Sequence, residues 1–326
     1  MKAARTGSLS RSGQVAAPSP FALDLIEALG ESAVQWRAER LRAYEYDGSI
    51  DVGHPAAVAL VATDADAASA IRVASRHGQP VVARGSGTGL SGGAVATRGG
   101  LTLSFSRMRA INLIDPPNLR AVVEPGVINL DVSRAVASHG LYFAPDPSSQ
   151  AACSIGGNIA ENAGGAHCLA YGVTTNHVTG LECILADGTT LGTGTLSSGN
   201  SGADVPGYDL TGAIVGSEGT FAVVTKAGLR LMPVAEAVRT MLASFPTVDD
   251  ASRATSGIIA AGIIPAALEM MDALTISALM RAGHKGLPAD AAAVLLVELE
   301  GLQEGVDEQV PFVEAILTDA GASDIR

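Results

Sequence analysis

Aromatic residues make up only 4% of the 326-residue chain, too few for a surface that works by stacking bases. Positive charge is also scarce. Lys and Arg total 21 against 33 Asp and Glu, and the net charge of −12 leaves nothing over to neutralise phosphate. A nucleic-acid binder is therefore excluded. The three cysteines, Cys153, Cys168 and Cys183, form no C-x-x-C pair, and an odd number leaves no complete disulfide framework. A reduced, cytoplasmic setting is expected, and without clustered partner ligands no metal site is expected. No uninterrupted apolar run reaches the roughly 18 residues of a membrane span, so direct membrane insertion is not expected. Met1–Pro20 has no acidic residue and no apolar run of signal-peptide length, and it reads as a loose tail.

What is present is a large apolar fraction. Hydrophobic residues are 47% and charged residues 17%, enough for a sizeable core, and the length accommodates two domains. FALDLIEALG (21–30) has helical spacing and a glycine stop. PAAVALV (55–61) reads as a strand, DADAASAIRVASRHG (64–78) as a helix capped by its Asp, and PVVAR (80–84) as a strand. LTLSF, INLID and AVVEPGV follow as short strands, and NLDVSRAVASHG (129–140) as a helix. VTGLECILADGTTL is a hairpin turning at Asp187-Gly188, followed by a Gly/Ser-rich loop at 192–202. Ser217-Glu218-Gly219 is a turn before the long strand region FAVVTKAGLRLMP. Near Val234 the texture changes to alternating strands and helices: VRTMLASF, VDDASRATSGIIAAG, PAALEMMD, Leu274–Ala282, AAVLLVELEG and Val306–Gly321. The expected division is 1–50 (tail and helices), 51–233 and 234–326, the last an α+β unit that stops without closing a sheet.

Two stretches do not read as ordinary connections. RGSGTGLSGGA (84–94) contains a formal G-x-G-x-x-G at Gly87, Gly89 and Gly92. A dinucleotide fingerprint needs a helix directly after the glycines, to present its N-terminus to the pyrophosphate. Here strands follow, and although Asp115 stands where a ribose-binding acid would be sought, no crossover helix precedes it. The Rossmann reading fails. A glycine-rich loop between strands can still bind an anion, because successive N–H groups without Cβ atoms can converge on it. The second stretch, PDPSSQAACSIGGNIAENAGGAHCLAYG (145–172), is too long and too rich in small residues for a plain connection. SIGGNIAENAGG is compatible with a tight helix lying against something flat.

RGSGTGLSGGA, PDPSS, SIGGNIAENAGG, AYG and GSEGTFAVVT occur in the order and spacing of flavoproteins with the PCMH-type, vanillyl-alcohol-oxidase-like FAD-binding fold, which the chain resembles from about Asp51 to Pro233. GIIPAALEMMD and DAAAVLLVELEG extend the resemblance into the cap domain of the glycolate oxidase D-subunit and D-lactate dehydrogenase branch. The resemblance implies an α+β chain in which a PCMH-type FAD-binding domain is followed by an incomplete cap domain. It implies that Gly85, Ser86, Gly87, Thr88, Gly89 and Ser91 hold the pyrophosphate of FAD. Pro145, Asp146, Ser148, Ser154, Gly156, Gly157, Asn158, Asn162, Gly164, Gly165, Tyr171 and Gly172 would follow the ribityl chain and ring. Glu218, Gly219 and Val223 would meet the adenine end.

The wider fold tethers FAD through a His in the first loop and a Cys in the second. No His occurs in the first loop here, and Cys168 has no clear partner, so non-covalent FAD is expected. The implied activity is oxidation of a 2-hydroxy acid, glycolate foremost, by hydride transfer to flavin N5. D-lactate or D-2-hydroxyglutarate oxidation is the alternative within the family, and a truncated flavin-binding module without turnover is the alternative of another class. A cofactor-free structural domain would leave both glycine loops unexplained. Partner subunits, an iron–sulfur subunit among them, are implied, with membrane association through them. Much of the family's base and metal equipment lies in a His-rich G-H-x-G-D-G-N-x-H-type stretch, which is expected to fall beyond Arg326, since the six histidines here form no H-x-H pair. His167 and His177 are the candidates within this sequence for a flavin-adjacent catalytic group, each with a plain structural role as its alternative.

Overall fold

The computed structural model describes residues 17–197 and 207–326. Most of the proposed tail and the second half of the Gly/Ser-rich loop lie outside them. The first helix, Pro20–Leu29, starts at Ser19, whose hydroxyl accepts the Ala22 N–H, and ends at Gly30 with φ 86°. It lies on the helix Asp64–Arg76. That second helix is capped by Thr63, not by Asp64 as its sequence suggests. Thr63 Oγ1 accepts the Asp66 N–H while the Asp66 carboxylate accepts the Thr63 N–H, a reciprocal box.

Beneath these helices is a four-stranded sheet in the order Val34–Gln35, Ala57–Leu60, Leu101–Ser104, Val81–Arg84, with the last three strands parallel. Parallel neighbours need a long crossover, usually a helix. Helix Asp64–Arg76 supplies the first one. The second, from Arg84 to Leu101, contains no helix, and the glycine-rich loop itself is the connection. The loop is thus anchored at both ends in paired parallel strands, at Arg84 and Leu101, both buried.

A five-stranded antiparallel sheet follows, ordered Ile111–Asp115, Arg120–Val123, Val223–Arg230, Val178–Ile184, Thr190–Gly194. Its core includes Val123, Leu181, Ala227 and Leu229, all without exposed surface, and the helix Ile155–Glu161 packs on it through Ile155 and Ile159. Lys226 ties the two layers together. Its ammonium reaches Asp64 Oδ2 at 2.6 Å, at the start of the Asp64–Arg76 helix, and Glu182 Oε1 at 2.9 Å on the adjacent strand. Burial alone would push the lysine down, but the two carboxylates outweigh it and hold its pKa above the ordinary value.

From Ala237 the chain builds a separate sheet, ordered Ala267–Asp272, Ala293–Gly301, Ala237–Phe245, Asp324–Ile325, antiparallel throughout. This is a split βαβ arrangement, with helix Ala273–Arg281 inserted in one connection. Helices Val248–Ala260 and Gln303–Asp319 cover one face, enclosing Phe245, Ile258, Leu295 and Val313. The sheet ends on a two-residue edge strand that the sequence reading did not include: Asp324 and Ile325 pair with Ser244 and Ala243. Two residues carry too little periodicity to be read as a strand in advance.

Leu103, with no exposed surface at the centre of the parallel layer, gives a direct check. Leu103→Ala should cost about 2–5 kcal/mol in urea unfolding. A loss below about 1 kcal/mol would mean that the site is not packed as described.

Candidate functional site

The two unusual loops face each other across a cleft of about 1100 Å³, measured out to its open mouth. The first loop supplies one wall. Its buried anchor is Arg84, the last residue of strand Val81–Arg84. The guanidinium turns back beneath the loop, donates to the Ala94 carbonyl at 3.2 Å and lies 5.7 Å from the Tyr44 ring centre. Burial lowers its pKa, against the opposing pull of Asp47 and two tyrosines, and an arginine so placed stays charged. Asp47 braces the same loop by accepting the Ala94 N–H at 3.4 Å. Gly87 sits over the guanidinium with φ 69°, so a side chain there would be strained and would press on Arg84. Gly89 differs. Its φ is not in the left-handed region, and a Cβ would meet nothing within 4 Å.

The opposite wall comes from the second loop. Ser154 caps the helix Ile155–Glu161 by accepting the Gly157 N–H at 3.3 Å. A Cβ on Gly85 would overlap the same hydroxyl, so the two walls meet because Gly85 has none. Beneath lies a buried polar cluster: Asn129 Nδ2 donates at 2.9 Å to both the Pro145 carbonyl and Asn158 Oδ1, and Asn158 Nδ2 donates to Cys153 Sγ at 3.3 Å. Asn162 ends the helix with φ 48°, and the turn Gly216–Gly219 docks there, with the Gly216 and Glu218 N–H groups donating to the Ile159 and Ala160 carbonyls.

Of the residues expected from sequence, Gly85, Ser86, Gly87, Thr88, Gly89, Ser154, Gly156, Gly157, Asn158, Glu218, Gly219 and Val223 line this cleft. The others are not among its lining residues. Ser91 stands beside it and donates to Glu161 Oε2 at 3.3 Å. Ser148 is exposed, and Pro145 is engaged with Asn129. Asn162 is the helix cap. Gly164 abuts Cys168, Gly165 abuts Asp146, and Gly172 abuts Asn176. Asp146 and Tyr171 instead meet groups at the seam with the second unit. His177 lies away from the cleft: Nε2 donates to the Tyr171 carbonyl at 2.9 Å, and burial lowers its pKa, as befits a neutral structural ring. The cysteine in the cleft wall is Cys153, whereas Cys168 Sγ accepts the Gly165 N–H at 2.9 Å.

Sequence reading missed Arg84, Asp47, Phe105, Pro125 and Glu161 as lining groups. Arg84 and Phe105 adjoin strands already identified. Asp47 and Pro125 are brought in by tertiary folding alone.

The donor set suits an anion. Among the described residues, no backbone N–H from Ser86 to Gly93 donates to another protein group, whereas those of Ala94, Val95, Thr97 and Gly99 do. Such a run is costly unless solvent or a ligand accepts from it, and it offers a set of donors for phosphate oxygens. Carboxylates mark the other side of the mouth. Glu161 is raised by burial and by Glu218 beside it, partly offset by the Ser91 hydroxyl. A carboxyl raised on folding stabilises the fold when protonated and loses that contribution as pH rises past the ordinary value of about 4.3. Glu161→Gln should therefore raise the melting temperature at pH 7, with the gain fading toward pH 4. An equal shift at both pH values would contradict this electrostatic picture.

Comparison with known proteins agrees with this geometry. The family described as "FAD binding domain" matches residues 55–194, and that described as "FAD linked oxidases, C-terminal domain" matches residues 234–326. The chain is 46% identical over 289 residues to "Glycolate oxidase subunit GlcD" of Escherichia coli, covering 88% of this chain and 57% of that protein. It is 36% identical over 268 residues to "D-lactate dehydrogenase" of Archaeoglobus fulgidus, covering 80% and 59%. The chain thus spans less than two thirds of either relative. The solved structure of 4-ethylphenol oxidase from Gulosibacter chungangensis superposes with a TM-score of 0.80 at 19% identity, over 94% of this chain and 64% of that one.

Proposed function

The chain belongs to the FAD-linked oxidases with a PCMH-type FAD-binding domain, and on that premise we propose that it is the flavin-holding part of an enzyme that oxidises a 2-hydroxy acid, glycolate foremost. The observation that carries the reading is the row of first-loop N–H groups without a protein acceptor, of which those of Ser86, Gly87, Thr88, Gly89 and Gly93 belong to residues that line the cleft. In this reading Gly85, Ser86, Gly87, Thr88, Gly89 and Ser91 hold the pyrophosphate. Ser154, Gly156, Gly157 and Asn158 lie along the ribityl chain and ring, with the remaining second-loop residues shaping that wall from behind. Glu218, Gly219 and Val223 approach the adenine end. The units are 51–233 for the cofactor and 234–326 for the cap.

Bound FAD would supply the hydride acceptor, flavin N5. The chain's own residues bind and orient. Arg84 fixes the first loop from below and offsets part of the pyrophosphate charge, while the Asn129–Asn158–Cys153 cluster holds the second loop rigid. The absence of His from the first loop supports non-covalent binding. The proton acceptor for the substrate hydroxyl and the cation for its carboxylate are assigned to the part of the relatives that this chain does not span.

Glycolate is favoured over D-lactate because identity is higher to the glycolate oxidase subunit, at 46% against 36%. The word "subunit" in that relative's name supports a partner polypeptide, for which an iron–sulfur electron acceptor is the expected chemistry. No described helix is long and apolar enough to cross a membrane.

Gly87→Val and Gly89→Val test the cradle by different routes, the first through left-handed strain and the second by filling the cleft. Both should abolish flavin retention in ultrafiltration. Full occupancy in either would sink the assignment. Anaerobic glycolate should bleach the flavin only when the remaining C-terminal part is supplied, and bleaching by this chain alone would show that the catalytic groups have been misplaced.

A further inference from the structure

The second unit rests on the second loop through a cluster of ionisable groups. The helical face of its sheet is covered, and the opposite face carries Glu298 and Glu300 on strand Ala293–Gly301, with Glu269 on the neighbouring strand. His167 stands against this face. Its Nδ1 lies 2.6 Å from Asp146 Oδ2 in its own domain, and its Nε2 lies 2.9 Å from Glu298 Oε1 in the second unit. The His167 backbone N–H also reaches Asp146 Oδ1 at 3.4 Å. Alongside, the Tyr171 hydroxyl donates to Glu300 Oε1, and Thr240 Oγ1 donates to Glu298 Oε2 at 3.2 Å.

A neutral imidazole has one N–H and can donate to one carboxylate only. Here both ring nitrogens face carboxylate oxygens, so both contacts are hydrogen bonds only when the ring is an imidazolium. The environment agrees. Burial pulls the ring down, but the hydrogen bonds to Glu298 and Asp146 outweigh it and raise its pKa above the ordinary value. Burial raises Glu300, opposed by His167. Burial together with Glu300 and Asp146 pushes Tyr142 up to about 12, so its hydroxyl stays neutral. His177, behind Tyr171, is neutral. Among the described residues, His167 is therefore the one cation placed between Asp146 and Glu298, with Glu300 and Glu269 on the same sheet face.

We propose that His167 is a positioning residue: its imidazolium clamps the second unit to the loop that holds the flavin, and loss of that proton loosens both the seam and the cofactor. The link to the cofactor rests on the reading of the cleft given above. It runs through Asp146, whose chain neighbour Pro147 lines the cleft, as does Ala163 in the segment leading to His167. Because the folded-state pKa is raised, docking is complete below the unfolded value of about 6.5 and is lost as pH rises through the higher folded value. The seam then holds acidic groups with no cation between them.

The test uses the full chain, with His167→Gln and Glu298→Gln beside it. Histidine ring resonances are titrated by NMR, backbone hydrogen exchange of residues 165–172 is followed on both sides of the His167 midpoint after correction for intrinsic rates, and FAD affinity is measured across the same range. The His167 midpoint should lie above about 6.5 and fall in Glu298→Gln. Protection of 165–172 should drop as pH passes the midpoint in the wild-type chain, and be low at every pH in His167→Gln. FAD affinity should weaken as pH rises through the midpoint, by up to roughly tenfold over one pH unit, and be flat in His167→Gln. An ordinary midpoint, or protection that ignores it, overturns the clamp. A raised midpoint with pH-independent FAD affinity overturns its coupling to the cofactor. Should the chain take up no FAD at any pH, the cleft reading fails by itself, and midpoint and protection still decide the clamp.

Discussion

The structure depends on how closely its two small-residue loops can approach. Gly85 has no Cβ, and the Ser154 hydroxyl that caps the second wall's helix occupies the space where one would stand. The same holds at Gly93, where a Cβ would come within 3.0 Å of the Glu161 carboxylate of the opposite wall. Side chains at these points would force the walls apart. The glycines therefore act less as flexible links than as the condition for two rigid walls. Each wall is held from behind, one by Arg84 and Asp47, the other by the Asn129–Asn158–Cys153 cluster.

Rigidity has a topological source as well. The first loop is the crossover between two adjacent parallel strands, which normally takes a helix. A helix would have satisfied its own N–H groups internally. By dispensing with one, the chain keeps a row of donors free, and in a protein with a net charge of −12 these neutral dipoles, with Arg84 beneath, are what an anion meets. The carboxylates of Glu161 and Glu218 line the same cleft on its other side. Charge is handled by a similar economy at the seam, where a single imidazolium stands between carboxylates of two units.

Much of this was readable in the sequence, for reasons that separate from what was not. The helices at 64–76 and 248–260 and the strands around them announce themselves by periodicity, and the failure of the Rossmann reading followed from the strands after the glycines. The glycines of the first loop, with Gly156 and Gly157 of the second, pointed to the cleft because backbone approach needs that residue type, whereas Gly164, Gly165 and Gly172 do not line it. Arg84 and Asp47 carried no such signal: one reads as the end of a strand, with nothing to say that its side chain turns back to the Ala94 carbonyl, and the other reads as a turn that only folding sets against the loop. His167 was singled out as a neighbour of the flavin, yet its partner Glu298 lies 131 residues away, a distance over which no local pattern speaks. The strand at Asp324–Ile325 was too short to show an alternation.

The visible absorption spectrum of the purified chain after incubation with FAD and removal of excess, recorded before and after acid precipitation, bears most directly on the claim that these two loops form a non-covalent flavin cradle. The account predicts flavin bands with the folded chain that move entirely into the supernatant on precipitation. A folded chain that stays colourless, or a flavin that remains with the precipitate, would contradict it.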